Sequence, residues 1–223
     1  MRKIIVGAQV SLDGVMQAPG GPTEDPTGGF RFGGWAMAHF SAEGREEIDR
    51  LFGENFDLLL GRKTYEIFAA YWPHYDENGS AGGIAKLFNR ITKYVVSGSG
   101  QVDLSWRRSE LLRDIAAVER LKQEDGPNLV TQGSTVLAHA LLANDLVDEI
   151  KIFLIPVVLG GGKKLFADGS VPHGYELIRS RVTSNGLVAA HYARAGEIRI
   201  GDAGLVNPSK AEAARQERMK REN

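Results

Sequence analysis

Cysteine is absent from this 223-residue chain. Disulfides, thiol nucleophiles and cysteine-ligated zinc are therefore excluded, and a reducing cytoplasm is compatible with the composition. An excess of one charge is missing too. With 27 basic and 28 acidic residues the formal net charge is −1, so there is no basic footprint for nucleic acid and no acidic tail. No apolar run approaches the roughly 18 residues that a membrane helix needs. Met1-Arg2-Lys3 before Ile4-Ile5-Val6 faintly resembles a secretory leader, but Gln9, Ser11 and Asp13 interrupt it too early. The expectation is a cytoplasmic protein, in which Asn78-Gly79-Ser80 is a turn and not a glycosylation site.

Familiar site signatures are lacking as well. No Gly-x-Gly-x-x-Gly follows the first apolar run, and no Gly-x-Ser-x-Gly elbow exists. Leu159-Gly160-Gly161-Gly162-Lys163-Lys164 looks like a phosphate loop only superficially. Val157 stands where the upstream glycine belongs, and no Ser or Thr follows the lysine. It reads as a glycine turn after a strand, with Gly161 offering its backbone to a ligand. The five histidines (His39, His74, His139, His173, His191) show no metal-like pairing.

What is present begins with 43% apolar residues, enough for a core. Extended apolar runs are expected at Lys3–Val10, Phe56–Leu60, Lys93–Val96, Asn128–Thr131 and Val147–Val158. Helices are expected at Ala42–Phe52 (capped by Ser41), from Thr64, around Ile84–Arg90, at Leu111–Gln123 and at Thr135–Leu142. This alternation predicts a mainly parallel α/β sheet with helices on both faces. Ser184-Asn185-Gly186, between Tyr175–Thr183 and Leu187–Arg194, predicts an antiparallel hairpin at one edge. Between Ala18 and Gly34 lie three prolines and six glycines, with Phe30, Phe32 and Trp35 alongside. An aromatic-bearing loop of that length reads as a lid. Pro208 to Asn223 is rich in Ala, Glu, Lys and Arg, and reads as a solvated helix or a frayed tail.

Parallel sheets bind ligands beyond the carboxyl ends of their strands. Gly61-Arg62-Lys63-Thr64, with Thr64 read as a helix N-cap, follows one such end. Ser97-Gly98 follows a second, Gln132-Gly133-Ser134-Thr135 a third, and Ala8 lies near a fourth. Small residues, helix N–H groups and two cations suit phosphate. Three such turns together point to one extended, multiply phosphorylated ligand.

These pieces, in order, resemble the dihydrofolate reductase superfamily. The nearest branch is the reductase domain of the bifunctional riboflavin-biosynthesis deaminase–reductase. The resemblance rests on Val10-Ser11-Leu12-Asp13-Gly14, Gly61 to Glu66, Tyr94 to Ser97, Gln132-Gly133-Ser134 and Ile155 to Gly162, and spans roughly residues 1–195. It implies one dihydrofolate reductase-like domain over 1–196 and a charged tail over 197–223. It further implies an NADPH-dependent reductase, a homodimer, acting on a small heterocyclic or carbonyl-like substrate, similar to 5-amino-6-(5-phosphoribosylamino)uracil reductase. Arg62, Lys63 and Ser97 would take the 2′-phosphate region, Gly133, Ser134 and Thr135 the pyrophosphate, and Ala8 with Val15 the nicotinamide. Asp13 is the first candidate for orienting the acceptor; its alternative is an Asx-turn with Gly14. Glu47, at the border of the Gly44/Ile48/Leu51 stripe, is the second; its alternative is a surface salt bridge. Two features depart from the pattern. The tryptophan–proline element that follows the first loop in folate reductases has no counterpart, and without cysteine there is no deaminase-type zinc site. A non-catalytic NADP(H)- or nucleotide-binding module is the competing reading.

Overall fold

The computed structural model describes residues 1–52, 55–168, 170–204 and 207–222. Eight strands form one sheet: β1 (Ile4–Ser11), β2 (Phe56–Gly61), β3 (Lys93–Val96), β4 (Ser109–Leu112), β5 (Asn128–Gln132), β6 (Glu149–Ile155), β7 (Gly174–Val182) and β8 (Val188–Gly196). Their order is β4-β3-β2-β5-β1-β6-β8-β7. The pairs from β4 through to β6 are parallel, whereas β6–β8 and β8–β7 are antiparallel. Asn185-Gly186 makes the β7–β8 turn, with Gly186 at φ +85°, a conformation glycine adopts without strain.

The central strands are buried on both faces, which is why they read as unbroken apolar runs. One face carries α4 (Ile115–Gln123) and α5 (Thr135–Ala143), packing Val118, Leu121, Leu137 and Leu141 onto Ile4, Val6 and Leu129. The other carries α1 (Ala42–Leu51), α2 (Arg62–Tyr71) and α3 (Gly82–Arg90), packing Leu51, Tyr65 and Phe88 onto Ile5, Leu58, Leu60 and Val130. Phe88 sits among Phe52, Phe68 and Trp72, with centroids 5.0 to 5.8 Å away. Each such fully buried side chain contributes about 1.5–3 kcal/mol of transfer free energy. At the amino ends of the strands, buried Arg2 pairs with Asp57, donates to the Pro127 carbonyl and lies 5.2 Å from the Tyr94 ring centroid.

Three expectations need correction. Thr64 is not an N-cap: α2 starts at Arg62, with Gly61 in the cap position and no side-chain cap. The strand runs into the helix without an intervening loop residue, so Thr64 falls inside the first turn. Leu111–Gln123 is not one helix, because Ser109–Leu112 pairs with β3 as the edge strand β4. Asp114 then caps α4 by accepting from the Ala117 N–H. The extended segment predicted over Val147–Val158 is a strand only from Glu149 to Ile155.

Beyond Gly196, the helix α6 (Lys210–Arg221) has no buried residue and is capped by Ser209. Leu205, Val206 and Asn223 of the tail lie outside the described residues.

Candidate active site on the carboxyl rim

The strand order brings the separate turns into one row. Ser97–Gly98 follows β3, Gly61–Thr64 follows β2, Gln132–Thr135 follows β5, Asp13–Val15 follows β1, and Gly160–Gly162 follows β6. Five neighbouring strand ends span four inter-strand spacings, about 19 Å. Specific bonds tie the row together. The Gly61 N–H donates to Ser134 Oγ at 3.0 Å, and the Gly133 N–H donates to the Gly7 carbonyl at 3.3 Å. The Ser97 N–H donates to the Leu112 carbonyl at 2.9 Å.

Ser134 explains part of the local geometry. Its backbone is left-handed (φ +58°, ψ +62°), which costs a non-glycine residue about 1–2 kcal/mol. Its hydroxyl faces Gly61 and so does not cap α5. The helices that follow β2 and β5 directly, α2 and α5, lack a side-chain cap, as does α3, whereas Ser41, Asp114 and Ser209 cap α1, α4 and α6. Uncapped first-turn N–H groups remain available to an anion. Gly133 has φ +74°, and an added Cβ there would meet nothing nearer than Thr64 Cγ2 at 3.8 Å. The surface above that turn is open to a ligand.

Arg62 and Lys63 sit at the start of α2. Arg62 holds Glu66 through Nη1, at 2.7 and 3.0 Å, in an exposed pair one turn apart, and Lys63 is exposed. A third cation, Arg113, escaped the sequence reading. It follows β4, and its guanidinium lies against Gly100, where a Cβ would come within 1.7 Å of Nη1. The signal was Asp114, whose capping of α4 makes Arg113 a strand-end residue.

Ala8 and Val15 are buried beside the centre of the row. On the α1 side of the sheet, the Gln132 amide donates to Gln9 Oε1 at 2.9 Å, while buried Gln132 Oε1 has no partner. Gln9 was also missed, since one polar residue in an apolar strand carries little signal.

Asp13 is fully engaged. It accepts from Ser11 Oγ at 2.6 Å and from the N–H groups of Leu159 (3.1 Å) and Gly160 (2.8 Å). The Ser11 hydroxyl first, then the Leu159 N–H, hold its pKa down at about 2. Asp13 is thus ionised at neutral pH and fastens the glycine turn to the end of β1. Gln17 and Lys163 fasten it again. The Lys163 N–H donates to Gln17 Oε1 at 3.0 Å, Gln17 Nε2 donates to the Asp25 and Thr27 carbonyls, and Lys163 Nζ reaches Asp25 and Thr27. Phe30 packs on Gly162, and the Trp35 indole donates to the Gln17 carbonyl at 2.8 Å. The long glycine–proline loop is therefore pinned over the β1 and β6 ends of the row.

Glu47 lies elsewhere. It is 3% exposed and held by both Arg179 nitrogens, with Arg181 Nη1 at 3.2 Å and Arg50 at 3.5 Å. The Arg179 hydrogen bonds hold its pKa below the ordinary carboxylate range. Through His191 and Lys151, Arg179 is level with Gly7, four residues short of the end of β1. β7 is also three strands from β1, about 14 Å away. Glu47 joins α1 to the antiparallel edge as a buried ion pair, not a surface one.

A parallel sheet that turns antiparallel at its β6 edge, with helices on both faces and glycine–serine turns on the carboxyl rim, defines a dihydrofolate reductase-like fold. Residues 2–189 match the RibD C-terminal domain, and the chain belongs to that family. It is 27% identical over 198 residues to the uncharacterized protein YyaP of Bacillus subtilis, covering 86% of this chain and 94% of that protein. A pyrimidine reductase-like protein from Corynebacterium diphtheriae has the same fold, with a TM-score of 0.60 at 14% identity over 88% of this chain and 93% of that one. So does a dihydrofolate reductase from Enterococcus faecalis complexed with NADP(H), with a TM-score of 0.52 at 14% identity over 86% and 96%. Among the described residues no helix is long and apolar enough to cross a membrane, and no group of three or more His, Cys, Asp or Glu could hold a metal ion.

Proposed function

We propose that this protein is an NADPH-dependent reductase acting on a small heterocyclic or carbonyl-like substrate. One observation carries the proposal: two uncapped helix N-termini, three cations and a chain of small turns stand side by side on one sheet edge. In this reading the first turn of α5 and Gly133, Ser134 and Thr135 hold the pyrophosphate. Arg62, Lys63, Ser97 and Gly98 hold the 2′-phosphate, with Arg113 as an added cation and Gly61 and Thr64 framing the approach. Ala8, Val15 and Gly161 face the nicotinamide end.

When bound, NADPH supplies a hydride to a polarised C=N or C=O carbon. The chain supplies alignment and water exclusion. In this reading half-buried Gln9, held by the Gln132 amide at 2.9 Å, meets the substrate beside Phe153, whose ring centroid is 6.4 Å from that of Phe40. The pinned loop with Phe30 and Trp35 covers the nicotinamide end. Asp13, already ionised, positions the glycine turn and does not donate a proton, so the proton comes from solvent. Glu47 acts through the α1–β7 seam and touches no reacting atom.

The experiment is calorimetry with NADPH, followed by its oxidation on a panel of pyrimidine, pterin and carbonyl acceptors at its near-ultraviolet absorbance. Absence of NADP(H) binding would end the proposal. Binding without turnover would favour the competing module, a reading supported by the engagement of Asp13 with Ser11, Leu159 and Gly160 and by the distance of Glu47 from the row.

A further inference from the structure

On the opposite rim, at the amino ends of β3 and β4, Lys86, Asn89, Arg90, Arg107 and Arg108 line a shallow, open depression of about 240 Å³, with all four cations exposed. Lys86 and Arg90 stand one turn apart on α3, and Arg107 and Arg108 come from the segment leading into β4. No carboxylate lines the pocket, and none of these four cations has an ion-pair partner among the described residues.

Cations at a helix C-terminus often need no further account, because the helix dipole places about half a negative charge there. Here that charge is already answered. Lys93 Nζ donates to the carbonyls of Phe88 (3.0 Å) and Ile91 (2.9 Å), and the Arg108 guanidinium donates to the carbonyl of Arg90. Five cations thus stand around the C-terminal half of one helix, where the Phe88 and Arg90 carbonyls already have side-chain donors. Buried Lys93 registers the excess. Burial first, then the charges of Arg108 and Arg107, pull its pKa down to about 8, although its ammonium lies 4.5 Å from the Trp106 ring centroid. Arg108 is also held in place at a cost: its backbone is left-handed (φ +59°), a conformation that disfavours any residue with a Cβ. The indole of Trp106 donates to Asn89 Oδ1 at 2.8 Å, fixing that side chain at the pocket wall.

We propose that this pocket binds a small polyanion bearing two adjacent phosphoryl groups, independently of the dinucleotide rim. Planar guanidinium forks match phosphoryl oxygens in pairs. A monoanion would leave most of the positive charge unanswered, whereas a diphosphate carries enough negative charge to engage both cation pairs. The basic depression is local, and the chain as a whole carries a net charge of −1. It therefore lacks the extended basic face on which a nucleic-acid backbone would lie.

The test is calorimetry of the full chain with inorganic pyrophosphate at low ionic strength, with ADP as a parallel ligand. Lys86 and Arg107 are exposed, so the double variant K86Q/R107Q keeps the fold, which circular dichroism checks. One pyrophosphate per chain is expected, weakened at least tenfold in K86Q/R107Q and unchanged in R62A/K63A. ADP following the same variant profile assigns the site to nucleoside diphosphates; ADP rejected while pyrophosphate binds assigns it to the free anion. A fold-independent readout is the Lys93 ammonium of the wild type by NMR, whose titration moves upward when pyrophosphate binds. No binding at millimolar pyrophosphate, a loss only in R62A/K63A, a Lys93 titration that does not move, or displacement by a single-stranded oligonucleotide at lower concentration would each overturn the proposal. The two variants separate the rims: a loss confined to K86Q/R107Q leaves the NADPH reading untouched, and a loss only in R62A/K63A assigns the anion to the dinucleotide rim.

Discussion

Removing both rim cations, in the double variant R62A/K63A, separates recognition of NADPH from recognition of NADH. Hydrogen bonds between charged groups contribute about 1.5–3 kcal/mol when one partner is deleted. Arg62 is 40% exposed and Lys63 is more open still, so the pair together is expected to contribute only about that much. At about 1.4 kcal/mol per tenfold change, NADPH affinity falls roughly ten- to 150-fold. NADH, which lacks the 2′-phosphate, should change little. The fold should hardly notice, because the pair broken is the exposed Arg62–Glu66 contact, with the cation N-terminal in the weaker orientation. That pair contributes about 0.3–0.5 kcal/mol, which corresponds to about 1–2 °C of melting temperature. The converse variant, Glu66→Gln, frees Arg62 from its present partner and should tighten NADPH about twofold by the same contribution. Calorimetry with both dinucleotides gives the ratio directly. Equal losses for NADPH and NADH in R62A/K63A would show that these cations do not read the phosphate.

Three further outcomes are expected. Because Arg179 holds the Glu47 carboxyl below its ordinary pKa, the pair stabilises the fold above the unfolded value near 4.3 and the contribution is lost as pH falls through the lower folded value. Glu47→Gln should cost about 1–3 kcal/mol at pH 7, discounted because Arg179 and Arg181 are partly solvated, and should flatten the acid limb of the melting curve; parallel limbs in the two proteins would exclude this role. Ser134→Ala removes the acceptor of the Gly61 N–H while keeping the left-handed backbone, and is expected to cost about 1–2 kcal/mol. Ser134→Gly loses the same bond but relieves the backbone, so melting temperatures should run wild type, then S134G, then S134A, and any other order counts against the strain argument. The homodimer implied by the family resemblance is expected to use the open β7 edge, where Leu177, Ile178 and Val182 are exposed; Leu177→Asp should then halve the mass seen by light scattering, and an unchanged dimer would move the interface elsewhere.

The parallel centre of the sheet was legible because strands buried on both faces leave continuous runs such as Phe56–Leu60, and Asn185-Gly186 marked its hairpin. The rim was legible for a related reason: each buried run ends in small residues that no core requirement explains. What stayed hidden depends on tertiary context. β4 is four residues long, mostly half-exposed, and its Leu111-Leu112 pair fits a helical period as well as a strand. Thr64 has the chemistry of a cap, yet the chain enters α2 two residues earlier. Glu47 reads as the border of an apolar stripe, whereas the structure buries it with Gly44 and Leu51, because the arginines that pair with it come from β7, more than 130 residues away. Gln9, Arg113 and the cations around Lys93 become a site only when strands remote in sequence are laid side by side.

The fastenings made by Asp13, Gln17 and Lys163 join two chain segments about 146 residues apart through bonds that share the same few atoms. Such a knot has no graded way of loosening. Withdrawing the glycine turn from the cleft frees the amides of Leu159, Gly160 and Lys163 in a single event, so their deuterium uptake should follow one common rate, with the indole hydrogen of Trp35 keeping pace.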